Sequence, residues 1–197
     1  MNPKNGLLLV LVDPAPSLEE ELNAWYDSEH LPERASLPGF VSARRFTSLG
    51  DGPQYAALYD LRDLGVLESS AYLAVSGANF SPWTRRVTAL SQPVRITAQQ
   101  VGGPVGPTGE APRLLILKFR GTTSFDAAAI AGGLEANFAG RSTCRTWRVF
   151  EGVGPEPGFM LALVEFGGIH VPELDLEVFG PCARRIDMAA SYRPYRG

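Results

Sequence analysis

"FSPWTRRV", residues 80–87, returns as "FGPCARRI" at residues 179–186. Phe, Pro and two consecutive arginines recur at the same spacing. Working outward, "LLLVLV" at Leu7–Val12 matches "LLILKF" at Leu114–Phe119. "YAALYDL" at Tyr55–Leu61 matches "MLALVEF" at Met160–Phe166, which sets Leu58 over Leu163 and Asp60 over Glu165. Arg44 and Phe46 fall over Arg148 and Phe150. Matches in the same order with a slowly drifting offset are the mark of an internal repeat. Between the copies lies "VGGPVGPTGEAP", residues 101–112, whose Gly/Pro content and scarcity of core-forming side chains read as a linker. The expected division is therefore 1–100, a linker over 101–112, and 113–197.

Each half opens on a short apolar run, the pattern of a buried strand. A helical stretch follows: "SLEEELNAWYDSEHL" from Ser17 and "SFDAAAIAGGLEANF" from Ser124, with both serines expected as N-caps. "GFVSARRFTSLGDGPQYAALYDL" reads as two strands around a Gly-Asp-Gly-Pro turn. A second helix is expected around "VLESSAYLAVSG" and a last strand around "PVRITAQQV". That order, β-α-β-β-α-β, is the ferredoxin-like unit. The second half is degenerate. Only residues 167–178 separate its third strand from the Phe-x-Pro motif, against 62–79 in the first, so its second helix is expected to be short or replaced by a loop. Each sheet carries helices on one face and must cover the other. The expected fold is α+β: two antiparallel sheets packed face to face as a barrel-like core, helices outside.

The bulk properties agree. The chain has 197 residues, of which 45% are apolar, so a packed core is feasible. A net charge of -3 with scattered arginine doublets argues against nucleic acid, which requires a basic surface. No apolar run reaches membrane length or fits a signal peptide. With two cysteines, read as free thiols, a cytoplasmic protein is expected.

The helix at Ser17–Leu31 holds the candidate site. On a helical wheel Leu18, Leu22, Trp25 and Tyr26 form the inward stripe. Glu29 falls within that stripe and His30 on its edge, four residues from Tyr26 and hence beside it. Pro32 is expected to loosen the helix directly after His30. The helix end and neighbouring carboxylates favour an imidazolium there, while burial opposes it. Two readings stand: a satisfied structural cluster, or a pocket in which His30 acts as general acid or base. The matching helix end of the second half, "GLEANF", has no histidine and no tyrosine. A feature needed only to build the unit would recur.

These residues resemble a known family. "WYDSEHLPERASLPGFVSARRF", with Trp25, Tyr26, His30, Pro32, Pro38, Gly39 and Phe40 as its marks, is similar to the EthD-like branch of the dimeric α+β barrel superfamily. The resemblance covers the first half well and the second only in strand order and the Arg-Arg motif. It implies a ferredoxin-like barrel, here within one chain, and a small-molecule pocket between sheet and helices. Members include cofactor-free monooxygenases, cyclases, isomerases and dehydratases as well as haem-dependent enzymes. In several, a pocket histidine moves protons, which carries over to His30 alone.

The expected function is cofactor-independent acid/base catalysis on a small apolar or aromatic carbonyl compound, polyketide- or lactone-like. His30 transfers the proton, Tyr26 orients the ring or the substrate, and Glu29 holds the histidine's tautomer or stays structural. Trp25, Arg44, Tyr72 and Trp83 are the candidate substrate contacts, with Phe80 a further aromatic facing His30. The alternative is a non-catalytic binding or accessory protein of the same fold. Asp27, His30 and Glu33 at three-residue steps lack the second histidine of a zinc motif, so no metal is expected. Nor is any cofactor: His30 and His170 lack a sequence context that asks for iron. Neither Cys144 nor Cys182 has a histidine beside it in sequence, and both read as packing residues. The chain is expected as a monomer with an internal pseudo-dimer, or as a homodimer.

Overall fold

The computed structural model describes residues 5–50, 52–154 and 158–197. Eight strands form one closed antiparallel barrel: β1 (Gly6–Val12), β2 (Phe40–Ser48), β3 (Tyr55–Leu61), β4 (Val94–Gly102), β5 (Arg113–Arg120), β6 (Cys144–Val153), β7 (Phe159–Phe166) and β8 (Ile186–Pro194). Their order around the barrel is β1-β3-β2-β8-β5-β7-β6-β4. Each half thus contributes a four-stranded sheet of the same internal order. The sheets face each other over a core that includes Leu9, Leu58, Ile116, Phe150, Leu163 and Tyr192. They also pair along both outer edges, which leaves no open sheet edge. One seam joins Thr97–Gly102 of β4 to Val149–Val153 of β6. The other is shorter: only Phe46, Thr47 and Ser48 of β2 pair with Pro194, Arg193 and Tyr192 of β8.

The helices lie outside: α1 (Glu19–Trp25), α2 (Leu31–Ala35), the single turn α3 (Ser70–Leu73), α4 (Pro82–Ser91) and α5 (Ala127–Phe138). Among the described residues, no helix is long and apolar enough to cross a membrane.

The structure corrects several local expectations. The expected second helix is a 3-10 turn at Leu64–Glu68 followed by α3. The long second helix of the first half is α4, within the repeated motif itself. Pro82 occupies its first turn, where the missing N–H costs nothing, and the Ser81 hydroxyl accepts from the Thr84 amide at 3.0 Å. In the second copy Gly180 stands where Ser81 does. It supplies no cap and takes φ +54, and the motif becomes a kinked 3-10 segment, Glu177–Arg185.

Nor does either expected serine cap its helix. Ser17 sits inside a 3-10 turn, Pro16–Leu18, with no side-chain cap at α1. In the second half the cap is Thr123, one residue earlier than Ser124. Its side chain accepts from the Asp126 amide, while Asp126 accepts from the Thr123 amide at 2.9 Å. Thr123→Ala should cost about 1 kcal/mol, read as a lower urea midpoint at unchanged slope.

The Gly/Pro-rich connection from β4 to β5 is pinned across one end of the barrel. Inside that end lie Asp60, Arg148 and Glu165, all buried. The Thr108 amide donates to Asp60 at 2.7 Å and the Gly109 amide to Glu165 at 2.8 Å. Arg148 donates to Asp60 and to the Gly106 carbonyl, both at 2.7 Å, and to the Thr108 hydroxyl at 2.6 Å. Arg44 donates to the Thr108 carbonyl at 2.9 Å. A segment poor in apolar side chains is held here by its backbone.

Candidate functional site

The site forms where the first helix passes Pro32. The helix neither ends nor loosens after His30. It continues through α2, because a π turn at Tyr26–His30 precedes the proline. The Leu31 amide bonds the Tyr26 carbonyl five residues back, so the turn is already widened where Pro32 has no N–H to give. The same turn aligns residues five apart. In a regular α-helix, at 3.6 residues per turn, Trp25 and His30 would point in different directions. Here their rings stack at 4.2 Å with an interplanar angle of 25°. Tyr26 meets His30 edge-on at 5.4 Å, as its spacing predicts, and Tyr59 of β3 stands at 6.4 Å.

A cavity of about 100 Å³ lies between these helices, β1, β3 and α4. Leu8, Val10, Val12 and Phe80 give it an apolar wall, and Trp25, Tyr26, His30, Arg34, Tyr59, Tyr72 and Arg95 also line it. Three of the lining side chains hold buried polar atoms with no hydrogen-bond partner: His30 Nδ1, Arg34 Nη1 and Tyr59 OH. The Tyr26 hydroxyl lies beside that of Tyr59, without the geometry of a bond to it. Arg34 is anchored by its other nitrogen, which donates to the Val75 carbonyl at 2.7 Å, and its guanidinium lies over the Tyr72 ring at 5.1 Å. Arg45 lies behind Tyr26, 4.1 Å from the ring centroid. A buried polar atom without a partner is costly, and several together mark a place built for something else.

Burial decides the charge of His30. It pushes the imidazole down to about 3, and the Arg34 and Arg45 guanidinium groups push the same way. The ring is therefore neutral at physiological pH, and the imidazolium favoured by the helix end does not form. Burial raises both phenols, Tyr26 to about 12 and Tyr59 well above the ordinary value, so both remain proton donors.

The expected residues divide. His30, Tyr26, Trp25 and Tyr72 meet at the cavity, with Phe80. Glu29 turns away from His30: its carboxylate accepts from Ser81 at 2.6 Å and Thr84 at 2.8 Å, at the start of α4. The Ser81 bond is the main cause that holds its pKa low. The same Thr84 hydroxyl accepts from the Trp25 indole at 3.0 Å, so Glu29 reaches His30 only through Thr84 and the stacked Trp25. Trp83 donates to Glu21 at 3.2 Å and does not line the cavity. Arg44 sits at the barrel end, also outside it. Asp27 pairs with Arg45 at 3.4 Å, and among the described residues no group of three metal-ligating side chains converges. Sequence reasoning missed Arg34 and Tyr59. Arg34 is four residues beyond His30, a neighbour on any helix that runs through Pro32. Tyr59 shares the outward face of β3 with Tyr55 by simple alternation.

The second half has the same face and fills it. Phe119, Phe138, Phe166, Phe179 and Cys182 pack beneath α5. The Phe179 ring lies so close that a Cβ on Gly133 would stand 2.3 Å from it. Both cysteines are free thiols. Haem, which the resemblance implies for some members, does not fit the cavity at His30. His170 is exposed in the irregular segment after β7, the second face is packed, and the His30 cavity has room for roughly three waters.

No family model and no curated protein matches the sequence. Solved structures match it in shape. An anthrone oxidase-like protein superposes with a TM-score of 0.68 at 13% identity, covering 98% of this chain and 92% of its own. A protein described as a "putative monooxygenase" from Lactobacillus acidophilus NCFM gives 0.57 at 10%, covering 98% and 94%. A mutant chlorite dismutase from Candidatus Nitrospira defluvii gives 0.58 at 9%, covering 98% and 93%. At such identities the likeness is one of fold: the chain is an α+β protein whose eight described strands close one antiparallel barrel, with the helices outside.

Proposed function

We propose that the protein is a cofactor-independent enzyme that moves a proton on a small apolar carbonyl compound, with His30 as general base and then acid; the cavity of about 100 Å³ is smaller than the roughly 150 Å³ that takes up benzene, which argues against the aromatic substrate. The observation that carries this is the group of unpartnered polar atoms, His30 Nδ1, Arg34 Nη1 and Tyr59 OH, in three side chains that line one cavity. A neutral imidazole keeps a lone pair free to take a proton from carbon beside the carbonyl. Negative charge then grows on the carbonyl oxygen. A guanidinium and a phenol that cannot ionise are suited to receive it. The imidazolium that burial disfavours is offset by the anion formed beside it. Trp25 positions the ring by stacking, and Glu29, through Thr84, positions Trp25. This proton step is common to isomerisation, cyclisation, dehydration and cofactor-free oxygenation.

Membership of the EthD-like branch, tandem duplication with 1–100 and 113–197 as its halves, and a cytoplasmic location belong to the same reading. They are supported by the Trp25–Tyr26–His30 motif, the recurring strands and the two free thiols. The test is turnover of a panel of small ketones, keto acids and lactones, in air and without air, by wild type and His30→Gln. Turnover lost in the variant supports the enzyme. Ligands that bind with no turnover by either protein would leave a binding protein of the same fold.

A further inference from the structure

The lining of the cavity is unbalanced in charge. It holds two arginines, Arg34 and Arg95, and no carboxylate. Arg34 is buried, only 3% exposed, and keeps Nη1 without a partner. Its one acidic neighbour, Glu33, stands 3.6 Å from the other nitrogen, Nη2. Arg95 donates to the Tyr72 hydroxyl at 3.1 Å, which ties it to the same wall. Tyr59, 1% exposed, adds a hydroxyl with no partner. A buried guanidinium is costly unless an anion completes its hydrogen bonds. Here Glu33 and the Val75 carbonyl serve Nη2, while Nη1 and the phenol are left without partners beside apolar walls.

We infer that the ligand of this cavity is a small carboxylate, bound by Arg34 Nη1 and Tyr59 OH with its apolar body against Leu8, Val10 and Phe80. The inference rests on the proposed function for the site and adds the substrate's chemical class: an organic acid anion that also carries the reacting carbonyl. The volume fixes its size. A cavity of 150 Å³ takes up benzene, so one of about 100 Å³ takes an apolar body of about four carbons. A guanidinium–carboxylate pair is charge-assisted, so the acid anion should outbind a neutral compound of the same shape.

The test compares sodium butyrate with butyramide, which share size and shape and differ in charge, by isothermal titration at constant ionic strength. In wild type, butyrate should bind at least about ten-fold more tightly. Tyr59→Phe should weaken butyrate several-fold and leave butyramide unchanged. Arg34→Met should abolish the preference. Should that variant fail to fold, Tyr59→Phe, which removes one oxygen, decides the matter with the wild-type comparison. Equal affinity for the two compounds, or binding of neither by folded wild type, overturns the inference. The two readings fail separately. A butyrate preference without His30-dependent turnover leaves the carboxylate site and removes the enzyme. His30-dependent turnover of neutral carbonyl compounds with no butyrate preference does the reverse.

Discussion

Arg148→Met should unfold about 3–5 kcal/mol more easily than wild type, the cost of breaking a buried ion pair from one side. Arg148 is 2% exposed and spans the barrel end, joining Asp60 of the first sheet to the Thr108 hydroxyl and Gly106 carbonyl of the β4–β5 connection. Glu165 stands 3.7 Å away, its pKa already raised, chiefly by burial. Methionine keeps an unbranched apolar stem, is shorter than arginine and supplies none of its donors. Asp60 and Glu165 would then lose the guanidinium that reaches both, with Arg44 the cation still acting on Glu165. Glu165, whose ionisation burial already opposes, would lose a cation that favours it, so the loss should be largest near neutral pH and smaller in acid. Urea denaturation at pH 7 and pH 5 measures it. A loss below about 1 kcal/mol at both would mean that water enters the barrel end and screens the cluster.

The second large effect is at His30. His30→Gln should lower kcat by about 10²–10⁴-fold on the substrate found by the panel, the usual contribution of a positioned acid or base. Glutamine keeps the size and a hydrogen-bonding end but cannot take the proton. The same variant has an opposite signature in stability. His30 titrates near 3 in the folded protein and near 6.5 when unfolded, because burial holds it neutral. Between those values the unfolded state binds more protons. The stability of wild type is therefore fully present above about 6.5 and falls as pH drops toward 3, by up to about 1.4 kcal/mol per pH unit from this group. His30→Gln should show a flatter pH profile by about one proton. Equal profiles in the two proteins would place His30 in water.

Much of this architecture is legible in the sequence because strands follow local rules. Alternation along "YAALYDL" and "MLALVEF" marks β3 and β7, and the recurrence of Arg44 and Phe46 at Arg148 and Phe150 marks two equivalent sheets. The site was harder to read because it depends on one exception. Pro32 ends a helix under the i to i−4 rule, and under that rule Arg34 belongs to a loop. The π turn changes the register before the proline is reached, which carries Arg34 into the cavity and stacks Trp25 on His30. Glu29 was misdirected by the same wheel, since it faces the N-terminus of α4 and not the histidine. The Gly/Pro connection was read from its side chains, while its bonds to Asp60, Glu165 and Arg148 are made by backbone groups that composition does not describe.

A barrel closed by one chain has a freedom that a barrel of two identical chains lacks. In the latter every substitution appears twice, and a buried arginine or histidine installed for chemistry burdens both sheets. Here His30, Arg34 and Tyr59 each keep one polar atom without a partner beside one sheet, while Phe119, Phe138 and Phe179 pack tightly against the other. The asymmetry is possible because the halves need not be copies: one face can hold buried polar groups that the other replaces with packed rings.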